Sequence, residues 1–258
     1  MEWKKVKWVI IFLLVAVDIF LMANIVFRYS KAYANEKEAL QAAVSLAASS
    51  EGFSMEAFSK LPRYMYSFEG VRDTDAEREL ADSFASERVT TTDSGGGVHI
   101  YVGSSSERIV FRRGGNLTAI VGAKGAANAQ VEKCAEKSNL TVYNDGHVIN
   151  FLFKDRPITN AYMDAVTTGE YVSVSGRIPL CSKWQQADKG RSRGEMVIAL
   201  HAAIENEELG ALKSVEAVYY LESNGSMGLV LVPAWRAKCE NGIVILSVMD
   251  KTVIQSEQ

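Results

Sequence analysis

An unbroken apolar run near the amino terminus constrains this chain more than any other feature of its sequence. Residues 8–27 read WVIIFLLVAVDIFLMANIVF and lie between Lys7 and Arg28. A helix of this length rises about 30 Å, which matches the hydrocarbon thickness of a bilayer. The run therefore predicts a single transmembrane helix.

The flanking residues predict the orientation of that helix. Three lysines precede the run and two basic residues follow it (Lys4, Lys5 and Lys7; Arg28 and Lys31). Since basic residues favour the cytoplasmic side, the amino terminus is expected inside the cell. Trp3, Trp8 and Tyr29 lie where interfacial aromatic residues are usual. We therefore expect a single-pass cell-membrane protein in the lipid bilayer, with residues 1–7 as a cytoplasmic tail and everything after residue 28 outside.

A cleaved signal peptide is the alternative interpretation. Its cleavage site would be the small-x-small sequence Ala32-Tyr33-Ala34. The apolar run is longer than the ~7–15 residues usual in signal peptides, and Asp18 interrupts it. The anchor is therefore the favoured prediction.

Asp18, near the middle of the run, is the first candidate site residue. A charged Asp at this depth opposes insertion by roughly 2.5–3.5 kcal/mol. A polar contact with a partner helix is favoured over a protonated side chain that faces lipid. Asn24 lies about 120° round the helix from Asp18, so the two do not form one stripe, and both readings of Asn24 stay open. Phe20 is the third candidate contact.

The first 25 residues carry a resemblance to a known family. The start MEWKKVK, followed by Val17-Asp18-Ile19-Phe20-Leu21, resembles the YycI family of membrane-anchored regulators from Gram-positive bacteria. The remainder agrees with that family in length and in its strand-rich character. The resemblance implies a YycG/WalK-type sensor histidine kinase as target, within a two-component system that controls cell-wall metabolism. It also implies a YycH-like protein as heteromer partner.

Charge and cysteine content exclude several classes for the remainder of the chain. Residues 35–258 hold 23 basic and 29 acidic residues, a net charge of −6, which does not suit nucleic-acid binding. The three cysteines (Cys134, Cys181 and Cys239) are too few and too scattered for a disulfide framework or a zinc site. They are favoured as small buried residues, the alternative being one disulfide and a spare thiol.

Motifs for catalysis are missing from the sequence. It contains no GxSxG elbow, no GxxxxGK[ST] loop and no HExxH sequence. The three histidines (His99, His147 and His201) have no metal-ligand spacing. We therefore expect no enzymatic activity, cofactor or metal. Asp155 and Arg156 are expected in a turn, and the basic residues 189–193 in a solvated loop.

Helical and alternating patterns predict the fold of the exported part. Helices are expected over 35–50, from a capping box at Thr74–Glu77, over 124–137, and from a capping box at Ser192–Glu195 to Gly210. Strands are expected at 98–102, 109–111, 117–121, 140–143, 148–154, 171–178, 215–222, 229–238 and 243–248.

These elements predict an α+β protein in which a transmembrane helix precedes a predominantly antiparallel-β extracytoplasmic domain with helices. The expected divisions are a juxtamembrane helix or linker at 28–50, a first α+β unit at 51–121, and a second α+β region at 122–258. Helix followed by hairpins recurs near 124 and 192, which raises the hypothesis of two similar sub-units.

Two function classes remain. In the first, the protein is a non-enzymatic regulator whose helix docks on transmembrane helices of the kinase while its exported domain makes further contacts. In the second, an exported module binds a peptide, lipid or wall polymer, and the helix is only a tether.

Overall fold

A computed structural model describes residues 3–49, 54–103, 107–122, 128–188, 190–205, 211–240, 242–247, 249 and 253–257. These residues include five α-helices and one 3₁₀ turn: α1 (Trp3–Ser49), α2 (Met55–Lys60), α3 (Thr74–Phe84), the turn at Arg113–Gly115, α4 (Asn128–Lys137) and α5 (Arg193–Glu205). They also include sixteen strands: β1 (Tyr64–Met65), β2 (Phe68–Val71), β3 (Thr90–Asp93), β4 (His99–Val102), β5 (Arg108–Arg112), β6 (Asn116–Gly122), β7 (Leu140–Asp145), β8 (Val148–Phe153), β9 (Arg156–Thr168), β10 (Tyr171–Arg177), β11 (Gln185–Gln186), β12 (Arg191–Ser192), β13 (Leu212–Asn224), β14 (Gly228–Cys239), β15 (Gly242–Ser247) and β16 (Val253–Glu257).

The strands form an α+β fold whose sheets are mostly antiparallel, as predicted. One sheet has eight strands in the order β3-β4-β5-β6-β10-β9-β8-β7, and all its neighbours are antiparallel. In the other sheet, β14 pairs with β13 on one edge and with β2 and then β15 along the other edge. A parallel contact between Ile158 of β9 and Tyr219 of β13 joins the two sheets. Strands β1 and β12 form a separate two-residue ladder.

Alternation of apolar and polar residues explains why the eight-stranded sheet has two different faces. On β6, Leu117, Ala119 and Val121 are buried, whereas Thr118 and Ile120 between them are exposed. The buried side chains face the core because successive side chains of a strand point to opposite faces. The other face of this sheet carries exposed side chains on β6, β9 and β10.

The helix starts show one correct and one wrong cap prediction. Before α5, Ser192 and Glu195 form the predicted capping box: the backbone N–H of Glu195 donates to Ser192 Oγ at 3.3 Å, and that of Ser192 to Glu195 Oε2 at 3.2 Å. Helix α3 begins at Thr74 as predicted, but its N-cap is Asp73, which accepts from two backbone N–H groups. Glu77 is not part of a box, because its carboxylate is held elsewhere, by Arg72. Gly210 and residues 124–127 of the predicted helices lie outside the described residues.

Helix α1 is one continuous element of 47 residues, about 70 Å long. Its last part packs against α5 through buried side chains at Ala39, Ala42, Ala43 and Leu46. A Cβ on Gly194 of α5 would lie 2.9 Å from the Ala39 Cβ, so the helices approach closely at this point. The predicted juxtamembrane helix is present, and Leu40 and Val44 on it are exposed.

Strand β9 was not predicted, and it is the strand that joins the two sheets. The turn expected at Asp155 and Arg156 is formed by Lys154 and Asp155, both with positive φ (51° and 60°). Arg156 already belongs to β9 and pairs with Phe153. The predicted division after residue 121 falls at the end of β6, which pairs with β10 over Asn116–Gly122. The two-unit division itself stays a prediction.

Candidate functional site

The apolar segment of α1 is the first candidate functional region. Residues Ile10–Phe27 have a mean hydropathy of 2.7, and none of them is buried. Among the described residues, this is the one helix long and apolar enough to cross a membrane. Phe12 and Met22, for example, are more than two-thirds exposed. The segment has the length and hydropathy of a membrane span or of a signal sequence.

The three sequence-predicted site residues lie on this segment, and only two of them share a face. The Asn24 side-chain amide donates to the backbone carbonyl of Phe20 at 3.0 Å. Asp18 lies on a different face of the helix, and it makes no hydrogen bond or ion pair with any residue that the structure describes. Contact of these residues with a partner helix stays a prediction.

The connection between the apolar segment and the domain is helical throughout. Ala39, the first buried residue among the side chains of α1 that the structure describes, lies twelve positions after Phe27, which corresponds to about 18 Å of helix. Helix α1 therefore continues without a break from the apolar segment to the end that packs on α5.

Arg193, the first residue of α5, also links α5 to the end of α2. Its Nη1 donates to three backbone carbonyls at the end of α2, those of Phe58, Ser59 and Leu61, at 2.8, 3.0 and 3.2 Å. Its guanidinium also lies 4.2 Å from the centre of the Phe58 ring. The prediction of a solvated basic loop at 189–193 is therefore wrong for Arg193, because unsatisfied carbonyls at a helix end attract a cation. Lys189 lies outside the described residues.

A buried ionic cluster lies where α3 meets the first strands. Arg72 holds the Glu77 carboxylate with two bonds, from Nε to Oε1 at 2.6 Å and from Nη2 to Oε2 at 2.9 Å. His99 Nδ1 lies 3.1 Å from Glu77 Oε2. All three residues are buried. One feature of the sequence indicates this cluster, although our prediction did not include it. The acidic residue Glu77 lies near the start of a helix, five positions after the basic residue Arg72.

The same cluster fastens two hairpin ends together. Arg72 Nη1 donates to the backbone carbonyl of Gly97 at 2.5 Å. The backbone N–H of Arg72 donates to the backbone carbonyl of Met227 at 2.9 Å. Gly97 has φ of +79°, and a Cβ there would lie 2.2 Å from the Ser226 carbonyl oxygen, so the β3–β4 loop presses on the β13–β14 turn. These contacts satisfy the cluster internally, so its role is in stability.

Histidine and cysteine residues are dispersed in the structure. His147 lies 3.6 Å from Asp164, far from the His99 cluster in sequence, and His201 is on α5. Within the described ranges, no group of three or more His, Cys, Asp or Glu could hold a metal ion. The three cysteines are buried and free, as favoured from the sequence. Burial raises the pKa of Cys134 to about 11 and also raises the pKa of Cys181 and Cys239, which disfavours the reactive thiolate.

Two surface depressions lie among the residues that the structure describes. One, of about 290 Å³, lies between the β8–β9 turn and the end of α2 and includes Lys60, Arg156 and Glu216. The other, of about 410 Å³, lies beside β2 and β11 and includes Glu69 and Lys183. Their volumes lie at the lower end of the range usual for ligand sites, and neither depression contains a histidine or cysteine.

Comparisons with known proteins add little to this geometry. No family model matches the chain, and no curated protein matches it. A solved structure of an uncharacterized protein from Eubacterium rectale is similar, with a TM-score of 0.40 and 9% sequence identity. The match covers 76% of this chain and 87% of that one. A likeness this distant carries no argument about the function of this chain.

Proposed function

We propose that this protein is a membrane-anchored, non-enzymatic regulator of a sensor histidine kinase in a two-component system that controls cell-wall metabolism. One observation carries the proposal: an unbroken helix joins the exposed apolar segment to the packed domain. A simple tether needs no such stiffness, whereas a regulator that passes a movement between membrane and domain does.

The proposed topology places residues 1–7 in the cytoplasm, residues 8–27 in the cell membrane and the sheet domain outside. The hydropathy of the segment and the lysines that precede it support this arrangement. An enzyme reporter active only in the cytoplasm, fused after Gln258, should be inactive. Activity of that reporter, or a mature amino terminus at Asn35, would contradict the topology.

The proposed partners are a YycG/WalK-type kinase and a YycH-like protein. Support comes from the resemblance of residues 1–25 to the YycI family and from Asp18, whose carboxyl has no partner in its own described chain. A polar group in hydrocarbon is stabilised by a hydrogen bond from a neighbouring helix, so a partner helix would supply what this chain does not.

A helix exchange separates this function from a tethered binding module. Residues 8–27 are replaced by an unrelated transmembrane sequence of equal length, with residues 28–258 kept. A regulator should lose kinase-dependent transcription and capture of the kinase from solubilised membranes, as measured by mass spectrometry.

The matched control carries the same unrelated sequence with a single aspartate at position 18. Partial recovery of kinase capture in this control would assign the contact to the polar group. Full function of the exchanged helix without aspartate would contradict the proposal and leave the exported binding module as the better description.

A further inference from the structure

One row of side chains crosses the exposed face of the eight-stranded sheet. We call it the cross-sheet row, and its members are Tyr143 (β7), Asn150 (β8), Tyr162 (β9), Arg177 (β10), Asn116 (β6) and Arg112 (β5). Each member is directly paired with the next in the strand register. Residues directly opposite each other in antiparallel strands project from the same face, so all six lie on one side of the sheet.

Burial shows that this side is the open one. Tyr143 and Tyr162 are 42% and 43% exposed, and Asn116 and Arg112 are exposed as well. Their neighbours along the strands, such as Ile149, Met163 and Leu117, are buried in the core. The row is therefore accessible over most of its length.

Strand spacing sets the dimensions of the row. Neighbouring strands lie about 4.8 Å apart, so the two tyrosines are separated by roughly 10 Å and the whole row is roughly 24 Å long. The repeating unit of an extended β-1,4-linked glycan is two sugar rings long. Its length is close to the distance between the two tyrosines. A chain of about five sugar rings would then cover the row.

The side chains alternate in a way that suits a sugar polymer. Tyrosine rings present apolar faces to the C–H faces of sugars, and the amides of Asn150 and Asn116 can bond hydroxyl and acetamido groups. We propose that the cross-sheet row binds an extended β-1,4-linked glycan that carries carboxylate groups.

Charge is the reason to specify carboxylates. The row contains two guanidinium groups and no acidic side chain, although residues 35–258 together have a net charge of −6. Arg112 Nη1 donates to Thr118 Oγ1 at 2.7 Å, and Arg177 Nε donates to the Gly114 carbonyl at 2.8 Å. A guanidinium has five N–H donors, so each keeps donors for an anion while one bond fixes its position.

Two acids lie near the row without belonging to it: Asp164 of β9, and Glu222 of β13, whose charge acts on Arg177. Asp164 is two residues from Tyr162 on β9, and its Oδ1 lies 3.6 Å from His147 Nε2. The anionic ligand therefore meets arginines at one end of the row and tyrosines at the other. The inference rests on the proposed function only for the location of the domain outside the cell.

The test uses the full-length chain in lipid nanodiscs, because sugar-based detergents would compete with the ligand. The probes are chitohexaose, which is neutral, and peptidoglycan glycan strands freed of their peptides, which carry carboxylates. By titration calorimetry, Tyr162→Ala and Tyr143→Ala should each raise the Kd for the glycan strands about five-fold, and Tyr162→Phe should stay within about two-fold of the parent.

Tyr171→Ala is the matched control. Tyr171 lies on the same face and is 44% exposed, but it is six residues along β10 from Arg177, about 20 Å from the row. Its replacement should leave the Kd unchanged. Arg112→Gln should weaken binding of the glycan strands about ten-fold while changing chitohexaose binding little.

Three results would overturn the proposal. They are no saturable binding of either probe by the parent, an equal loss in Tyr171→Ala, or row variants that bind glycan normally but no longer co-purify a protein. Asp18→Leu should leave glycan binding unchanged, so the glycan site and the helix contact can fail independently.

Discussion

Glu77 and Asp18 both carry a carboxylate among apolar neighbours, and their surroundings differ in one respect. Glu77 is in the folded domain, where Arg72 and His99 of the same chain contact both of its oxygens. Asp18 lies midway along the apolar segment of α1 and makes no hydrogen bond or ion pair with any residue that the structure describes. One acid is satisfied within the chain and the other is not.

The difference indicates what each region is for. A buried charge with its own counter-charge specifies the fold, because removal of either partner leaves the other uncompensated. An acid exposed on an apolar helix contributes nothing to the packing of its own chain. Any function of this carboxyl depends on a second molecule or on the lipid around it.

The largest effect is expected from Glu77→Gln. This change keeps the shape of the side chain but leaves Arg72 buried without a counter-charge, which should reduce the free energy of unfolding by about 3–5 kcal/mol. Denaturant unfolding of the full chain in nanodiscs, followed by circular dichroism, measures the loss. Glu79→Gln is the control, since Glu79 lies on the same helix and pairs with Lys133 and Lys137 at the surface. Equal losses in the two variants would show that the buried pair has no special role.

Local patterns in the sequence predicted part of this fold correctly. Buried positions on α4, such as Val131 and Cys134, follow from helical spacing, and the start of α5 follows from the Ser192–Glu195 box. These features depend on residues that are near each other in the chain.

The missed features depend on residues that are distant in sequence. Strand β9 has no clear alternation, because different parts of it pair with β8, β10 and β13. His99 was recognised only as a strand residue, since its neighbour Glu77 is 22 positions earlier. The cross-sheet row needs the register of six strands, which no local pattern determines.

The second prediction concerns Asp18→Leu, which should act oppositely on two measurements. Insertion of the helix should become more favourable by roughly 2.5–3.5 kcal/mol, because the charged side chain is removed. Association with the proposed kinase should weaken by roughly 3- to 30-fold, the value of one hydrogen bond between membrane helices. Membrane-inserted fraction and captured kinase, compared at equal expression, give the two values.

Asp18→Asn serves as its control. It retains hydrogen bonding without the charge, so it should keep much of the kinase capture. If Asp18→Leu captures the kinase as well as the parent does, Asp18 does not contribute to binding of the kinase. Its lack of a partner within the chain would then have no bearing on function.

The third prediction uses alkaline pH, which should act on the domain through its buried acids. Burial raises the pKa of Cys134 to about 11 and that of Tyr219 to about 12. In the unfolded chain these groups lose their protons at lower pH, so the unfolded state binds fewer protons and stability falls as pH rises. The contribution of Cys134 to the free energy of unfolding should be fully present below about pH 8.5. It should decline by about 2 kcal/mol by pH 11. Unfolding curves of the parent and Cys134→Ala between pH 7 and 11 measure the difference. A parallel decline in both proteins would exclude the thiol as its source.

The smallest effect is expected from Asn24→Leu. The Asn24 amide already donates to the Phe20 carbonyl of its own helix, so it has less to gain from a partner helix than the unpaired Asp18 carboxyl. Its replacement should change kinase capture by less than about two-fold, since the lost bond is local and the backbone carbonyl keeps its helical partner. Capture from the same membranes, with Asp18→Leu measured beside it, gives the ranking. A loss at Asn24 equal to that at Asp18 would mean that two faces of the helix are engaged at once, and a partner with a single docking helix would no longer account for the contact.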